Sequence, residues 1–176
     1  GNSESSGATS ILVGTLRING EHDESTATIS SGATLGGSGT VGGIVSNGNL
    51  EPGNSIGTLN ISGDVTLNSG SVLVIEIDTA GNNDKIIATG DVTAGGTLRI
   101  SPASGSYSQG QEYTIITGSS ISGTFSTVTV LSCSGTASPT YGSTSITFTL
   151  SNCSFSAPKN REKISIYIND LSSGAS

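Results

Sequence analysis

The sequence has no Met, no Trp and one His, and only 11% of its 176 residues are charged. Its aromatic residues are Tyr107, Tyr113, Phe125, Tyr141, Phe148, Phe155 and Tyr167, all in the last 70 positions. The first 106 residues must therefore build a core from Ile, Leu, Val and Ala alone. A wide sandwich or α/β core normally recruits aromatic rings, whereas a thin stack of aliphatic ladders does not need them. Basic residues are scarce as well, six against 13 acidic ones for a net charge of −7, and three of the six (Lys159, Arg161, Lys163) cluster near the end. No basic face is available over the first 150 residues to neutralise phosphates, which excludes a nucleic-acid partner. No run approaches the ~20 apolar residues of a membrane span, so no membrane insertion is expected. Residues 1–10 are polar and do not read as a secretory signal, so a secreted form of this chain is expected to be processed or excised.

Gly (26 residues) is abundant, and Ser and Thr together make up about a third of the chain. Such a composition can mark disorder, but here Ile, Leu, Val and Thr recur in short alternating runs, which disordered tails lack. A unit Gly-x-Leu/Val keeps returning, as Gly14-Thr15-Leu16, Gly39-Thr40-Val41, Gly48-Asn49-Leu50, Gly57-Thr58-Leu59, Gly70-Ser71-Val72-Leu73, Gly90-Asp91-Val92 and Gly96-Thr97-Leu98. Each reads as a strand of three to five residues between turn formers such as Asn19-Gly20, Asn47-Gly48 and Gly63-Asp64. Strands this short and closely spaced cannot belong to βαβ units. They must draw hydrogen bonds from neighbouring coils, which predicts an all-β, parallel β-helix. At roughly 20 residues per coil the chain would make seven or eight coils. A Gly-rich antiparallel sandwich is the alternative.

From about Tyr107 the strands become richer, with Glu112-Tyr113-Thr114-Ile115-Ile116, Gly123-Thr124-Phe125 and Ser145-Ile146-Thr147-Phe148-Thr149-Leu150. An aromatic-rich C-terminal cap would close the apolar end of the stack and cover unpaired backbone. The chain thus divides into coils over 1–106, a cap over 107–157 and a tail over 158–176. Ile164, Tyr167, Ile168 and Leu171 in the tail fit a short helix capped by Asn160, although Ile164, Ile166 and Ile168 would equally serve a strand.

At Gly32-Ala33-Thr34-Leu35-Gly36-Gly37-Ser38-Gly39-Thr40-Val41-Gly42-Gly43 and Gly48-Asn49-Leu50-Glu51-Pro52-Gly53-Asn54-Ser55-Ile56-Gly57 the chain resembles the passenger-associated repeat of Gram-negative autotransporters, the type V secreted proteins. Asp84-Lys85-Ile86-Ile87, Tyr113-Thr114-Ile115-Ile116 and Gly123-Thr124-Phe125 resemble the later part of such passengers, and residues 160–171 the linker before the translocation barrel. The resemblance implies a right-handed β-helical stem ending in an autochaperone region, exported through the periplasm and outer membrane to the bacterial cell surface or beyond. It implies the chain's own translocation barrel as a partner. The signal peptide, the barrel and most of an effector region are not in the sequence.

Candidate chemistry is sparse. Gly53-Asn54-Ser55-Ile56-Gly57 matches G-x-S-x-G, but a nucleophile elbow needs a helix after Ser55 and a His with an acid partner, and the residues that follow read as a strand. A Gly-rich turn is the simpler account. His22, within Glu21-His22-Asp23-Glu24, reads as part of a solvated loop without metal-ligand spacing. Asp78, Asn82, Asn83 and Asp84 could offer oxygens to calcium, but they form neither an EF-hand nor a nonapeptide repeat, and a turn is expected. In a secreted chain Cys133 and Cys153, the only cysteines, would form one disulfide across the cap, with two free thiols as the alternative.

Three functions compete. A structural stem and folding nucleus, with no enzymatic activity, no cofactor and no metal, follows from repeats, cap and missing catalytic groups. An adhesin or host-receptor-binding module, or self-association, would use the Ser/Thr-rich faces, although no Trp, Tyr or Arg cluster marks a hot spot in the first 100 residues. A polysaccharide lyase or hydrolase would need facing carboxylates and aromatic platforms, which the coil region lacks.

Overall fold

The structure, a computed structural model, describes residues 8–153. The end of the cap, with Phe155, and the whole tail, with Tyr167 and the short helix expected there, lie outside the described residues. Within them every regular element is a strand, and no helix is long and apolar enough to cross a membrane.

The strands wind into a three-sided parallel β-helix. The first side stacks β2 (Thr15–Arg17), β4 (Thr34–Gly37), β6 (Asn49–Pro52), β9 (Val72–Ile77), β12 (Thr97–Pro102) and β15 (Thr127–Val130). The second side begins with the N-terminal residues of β3 (Glu21–Ile29) and β5 (Thr40–Ser46) and continues through β7 (Thr58–Ile61), β10 (Lys85–Ala88) and β13 (Gln111–Thr117). The third side runs from β1 (Thr9–Ile11) through the C-terminal residues of β3 and β5 to β8 (Val65–Leu67), β11 (Val92–Ala94) and β14 (Ile121–Gly123). β3 and β5 bend round the corner between the second and third sides, which fuses those sides into one sheet. The strand ladders between coils are parallel, with one isolated antiparallel bridge between Gly37 and Gly53, so the parallel β-helix expected from the short strands is the fold and the antiparallel sandwich is not.

The first side has six rungs among the described residues, not the seven or eight coils expected. The Gly-x-Leu/Val unit falls on all three sides: Gly14, Gly48, Gly70 and Gly96 lead into first-side strands, Gly39 and Gly57 into second-side strands, and Gly90 into a third-side strand. The later coils are also longer, because both turns and strands vary in length, and the end of the described chain goes to a cap.

Alternation turns one set of side chains inward on each side. On the first side Leu16, Leu35, Leu50, Leu73, Leu98 and Val128 stand in register one above another, and the four inner leucines are fully buried. On the third side the inward column is Thr9, Ala27, Ile44, Val65, Val92 and Ile121. On the second it is His22, Val41, Ile61 and Ala88. Each buried leucine contributes about 1.5–3 kcal/mol of transfer free energy. One corner cannot accept a side chain: Gly37 has φ +112°, and a Cβ there would overlap the Ile18 carbonyl of the preceding coil.

The C-terminal end changes pairing direction. β17 (Ser145–Ser151) pairs antiparallel with β13 on one edge and with β16 (Thr136–Tyr141) on the other. Ile146, Phe148 and Leu150 of β17 are buried, and Phe148 stacks on Tyr113 with ring centroids 5.1 Å apart. Ile115 is the extra residue of a bulge in β13, and both it and Ile116 are buried. On the outer strand of the cap, Pro139 offers no N–H, a device that discourages further strand addition.

Candidate functional site

Two regions concentrate chemistry: the aromatic cap, and the turns that join the first side to the second. In the cap the Phe125 N–H donates to the Tyr141 hydroxyl at 3.0 Å, tying the loop after β14 to the outer hairpin strand. The Tyr113 hydroxyl donates to the Asp78 carbonyl at 3.3 Å, and the Tyr107 hydroxyl lies 2.8 Å from the Ala103 carbonyl and 3.1 Å from that of Ile77. Burial, with Tyr107 and Asp78 nearby, pushes the Tyr113 hydroxyl up to about 12, and burial raises that of Tyr107 too. Both rings act as packing bodies with one anchored polar atom. Cys133 and Cys153 are joined as a disulfide, Cα to Cα 5.2 Å, so the bridge closes the base of the β16–β17 hairpin. Ser132 (φ 61°) and Asn152 (φ 56°), the non-glycine residues with positive φ among those described, each precede one of these cysteines.

The turns between first and second sides stack into a row of polar hollows. One of them, of 160 Å³, is lined by Arg17, Glu51, Ser55, Glu76 and Asp84 among others. Arg17 reaches across an entire coil to Glu51, 3.5 Å away, and donates to the Gly53 carbonyl at 3.2 Å. It can do so because Gly36 stands between them: a Cβ there would sit 3.2 Å from the guanidinium. Asp84 is 2% exposed. Its Oδ1 accepts the Gly57 N–H at 2.9 Å and its Oδ2 accepts the Glu76 N–H at 2.8 Å. Burial, with a smaller push from the charges of Glu76 and Glu51, raises this carboxyl to about 7 against the pull of those two N–H donors.

The calcium candidates do not converge. Asp78 is spent on its own turn, accepting N–H groups of Ala80 and Asn82 and the Asn82 side-chain amide, and these bonds, led by the Asn82 amide, hold its carboxyl below the usual range. Asn83 donates to the carbonyls of Asp84 and Thr114, and Asp84 points inward. Among the described residues no three His, Cys, Asp or Glu side chains are placed to share a metal ion. Ser55 stands in the exposed turn between β6 and β7, with a strand and not a helix after it.

His22 departs from the sequence reading. It lies in β3, half-buried, where it heads the second side's inward column, and Nε2 is 2.7 Å from Thr9 Oγ1 and 2.9 Å from Ser25 Oγ. Pairing of Glu21 and His22 with Thr40 and Val41 draws this polar run into the ladder, overriding its loop-like composition. A Ser–His contact at this distance has the look of a nucleophile and its base. Ser25 is 5% exposed, however, and both hydroxyls crowd the same ring nitrogen, so the cluster reads as polar filling of the first coil. The spacing of His22 and Ser25 carried no sequence signal for it.

No protein-family model matches the chain. Over 106 residues, 57% of the chain, it is 34% identical to an extracellular serine protease of Serratia marcescens. That alignment covers 10% of the relative, so the chain spans about a tenth of the protein it matches.

Proposed function

We propose that the chain is the C-terminal stem and folding nucleus of a secreted autotransporter passenger, displayed at or released from the bacterial surface. The observation that carries this reading is the polarity of the stack. Among the described residues its N-terminal rungs β1 and β2 are ladder-paired on one edge, while the other end of the stack is closed by an aromatic antiparallel hairpin and a covalent bridge. A stem that continues a longer solenoid needs the first feature, and a nucleus that folds before the rest needs the second. Similarity to a small part of a much longer extracellular protein supports secretion and a role as one part of a larger whole.

In this account the region takes no part in peptide-bond cleavage or other catalysis and binds no cofactor. Its partner is its own translocation barrel. The deciding experiment is to read the open reading frame past Ser176: a series of amphipathic strands forming a barrel supports the assignment, and a stop or a globular domain contradicts it. An adhesin reading is favoured by one feature, the outward column Ser10, Thr28, Val45, Thr66, Thr93 and Ser122 on the third side, which presents five hydroxyls at strand spacing. Saturable binding of the isolated fragment to host cells, lost when these hydroxyls are removed, would establish it.

A further inference from the structure

Asparagine followed by glycine occurs twice in the chain, as Asn19-Gly20 and Asn47-Gly48. Both pairs lie between strands with the asparagine exposed, yet the stack treats the two glycines oppositely. Gly48 is buried, its N–H donates to Ser46 Oγ at 3.2 Å, and a Cβ there would overlap the Ser30 and Ala33 carbonyls. Gly20 is exposed, a Cβ there would meet nothing within 4 Å, and no carbonyl among the described residues accepts its N–H.

The Asn19 amide is held in a defined orientation. Its Oδ1 accepts the Ser38 N–H of the second coil at 3.2 Å and the Asn54 side-chain N–H of the third at 2.7 Å. A backbone N–H donates only to an acceptor, here oxygen, so Ser38 fixes which end of the amide faces the stack. Two donors on one carbonyl oxygen draw electron density from Cγ and stabilise negative charge developing on that oxygen. The activated carbon is one five-membered ring closure away from an unengaged, unhindered backbone nitrogen.

We propose that Asn19 is a self-modifying site, which cyclises onto Gly20 in the folded chain and ends as aspartate or isoaspartate, while Asn47 stays intact. Hydroxide takes the Gly20 N–H proton, and the nitrogen attacks Asn19 Cγ. A C–N bond forms there, the Cγ–Nδ2 bond breaks, and the departing nitrogen takes a proton from water to leave as ammonia. Water then opens the resulting succinimide at either carbonyl, giving aspartate or, with the main chain rerouted through the side-chain carbon, isoaspartate. One water is consumed and one ammonia released, with no change of oxidation state. The product bears on the junction between the first two coils. Ile18 donates its N–H to the Gly36 carbonyl and accepts that of Gly39, and the Gly20 carbonyl accepts the Thr40 N–H. Isoaspartate adds a backbone carbon between Ile18 and Gly20 and breaks this spacing, whereas aspartate keeps it.

The test is peptide mass mapping of the full chain during incubation in warm, mildly alkaline buffer, both folded and in urea. The folded chain should convert Asn19 at least about tenfold faster than Asn47, which corresponds to ~1.4 kcal/mol in barrier height. In urea the two rates should converge, because the dipeptide is the same. Gly20→Ala, for which the structure has open space and no left-handed φ, should suppress the conversion. Asn54→Ala should slow it by removing one donor from Oδ1. Folded chains carrying isoaspartate should lose amide protection at Gly39 and Thr40. Equal rates at the two sites in the folded chain would overturn the proposal, as would a rate ratio that persists in urea. So would an unchanged or raised Asn19 rate in a folded Asn54→Ala.

Discussion

Leu50 and Arg17 show how unevenly single residues matter in a stack this narrow. Leu50 is enclosed between Leu35 below and Leu73 above, so its removal opens a hole that neighbouring coils, fixed by their ladders, cannot close. Leu50→Ala should cost about 2–5 kcal/mol in denaturant unfolding. Arg17 and Glu51 form a pair at the surface, with side chains 45% and 39% exposed, and Arg17→Ala should cost under about 1 kcal/mol. Gly37→Ala should cost roughly 1–3 kcal/mol, because the new methyl meets both an unfavourable φ and the Ile18 carbonyl. Equal losses in all three variants would deny that the inward ladder dominates. At this scale the sequence was readable for aliphatic residues, since Gly-x-Leu announces which leucine turns inward. It was silent for Asp84, whose burial depends on a turn almost thirty residues away, and for His22, whose strand is imposed by the neighbouring coil.

Among elements, the β16–β17 hairpin differs from everything before it. Alternation in Ser145–Ser151 revealed a strand, and its Phe and Ile revealed a core, but alternation carries no information on strand direction, so antiparallel pairing with β13 was not legible. The aromatic cap itself was legible from the confinement of rings to the last 70 residues. Phe148→Ala removes half of the ring stack at the hairpin's centre and should destabilise by about 3–5 kcal/mol in equilibrium unfolding. Replacing both Cys133 and Cys153 by Ser frees a closed loop with 20-residue separation and should cost about 3 kcal/mol in the chain-entropy model. Thiol titration of denatured, unreduced protein should find no free thiol; two would contradict the bridge.

For the whole molecule, the ladder topology implies that stability is not uniform. Each coil depends on its neighbours above and below, the N-terminal rungs among the described residues pair on one side only, and the cap adds rings, a hairpin and a bridge at the other end. Fold class was legible here because short strands without helical spacing have few alternatives. Coil number was not, because turns and strands both vary in length from coil to coil and the recurring unit appears on all three sides. The same asymmetry underlies the stem-and-nucleus account, in which order spreads from the C-terminal end upward. Native-state hydrogen exchange, resolved by residue, tests it most directly. The account predicts the slowest-exchanging amides in β13 and β17, with protection declining coil by coil toward β1, and loss of protection upstream when residues 107–150 are deleted. Upstream coils that keep their protection without those residues would contradict it.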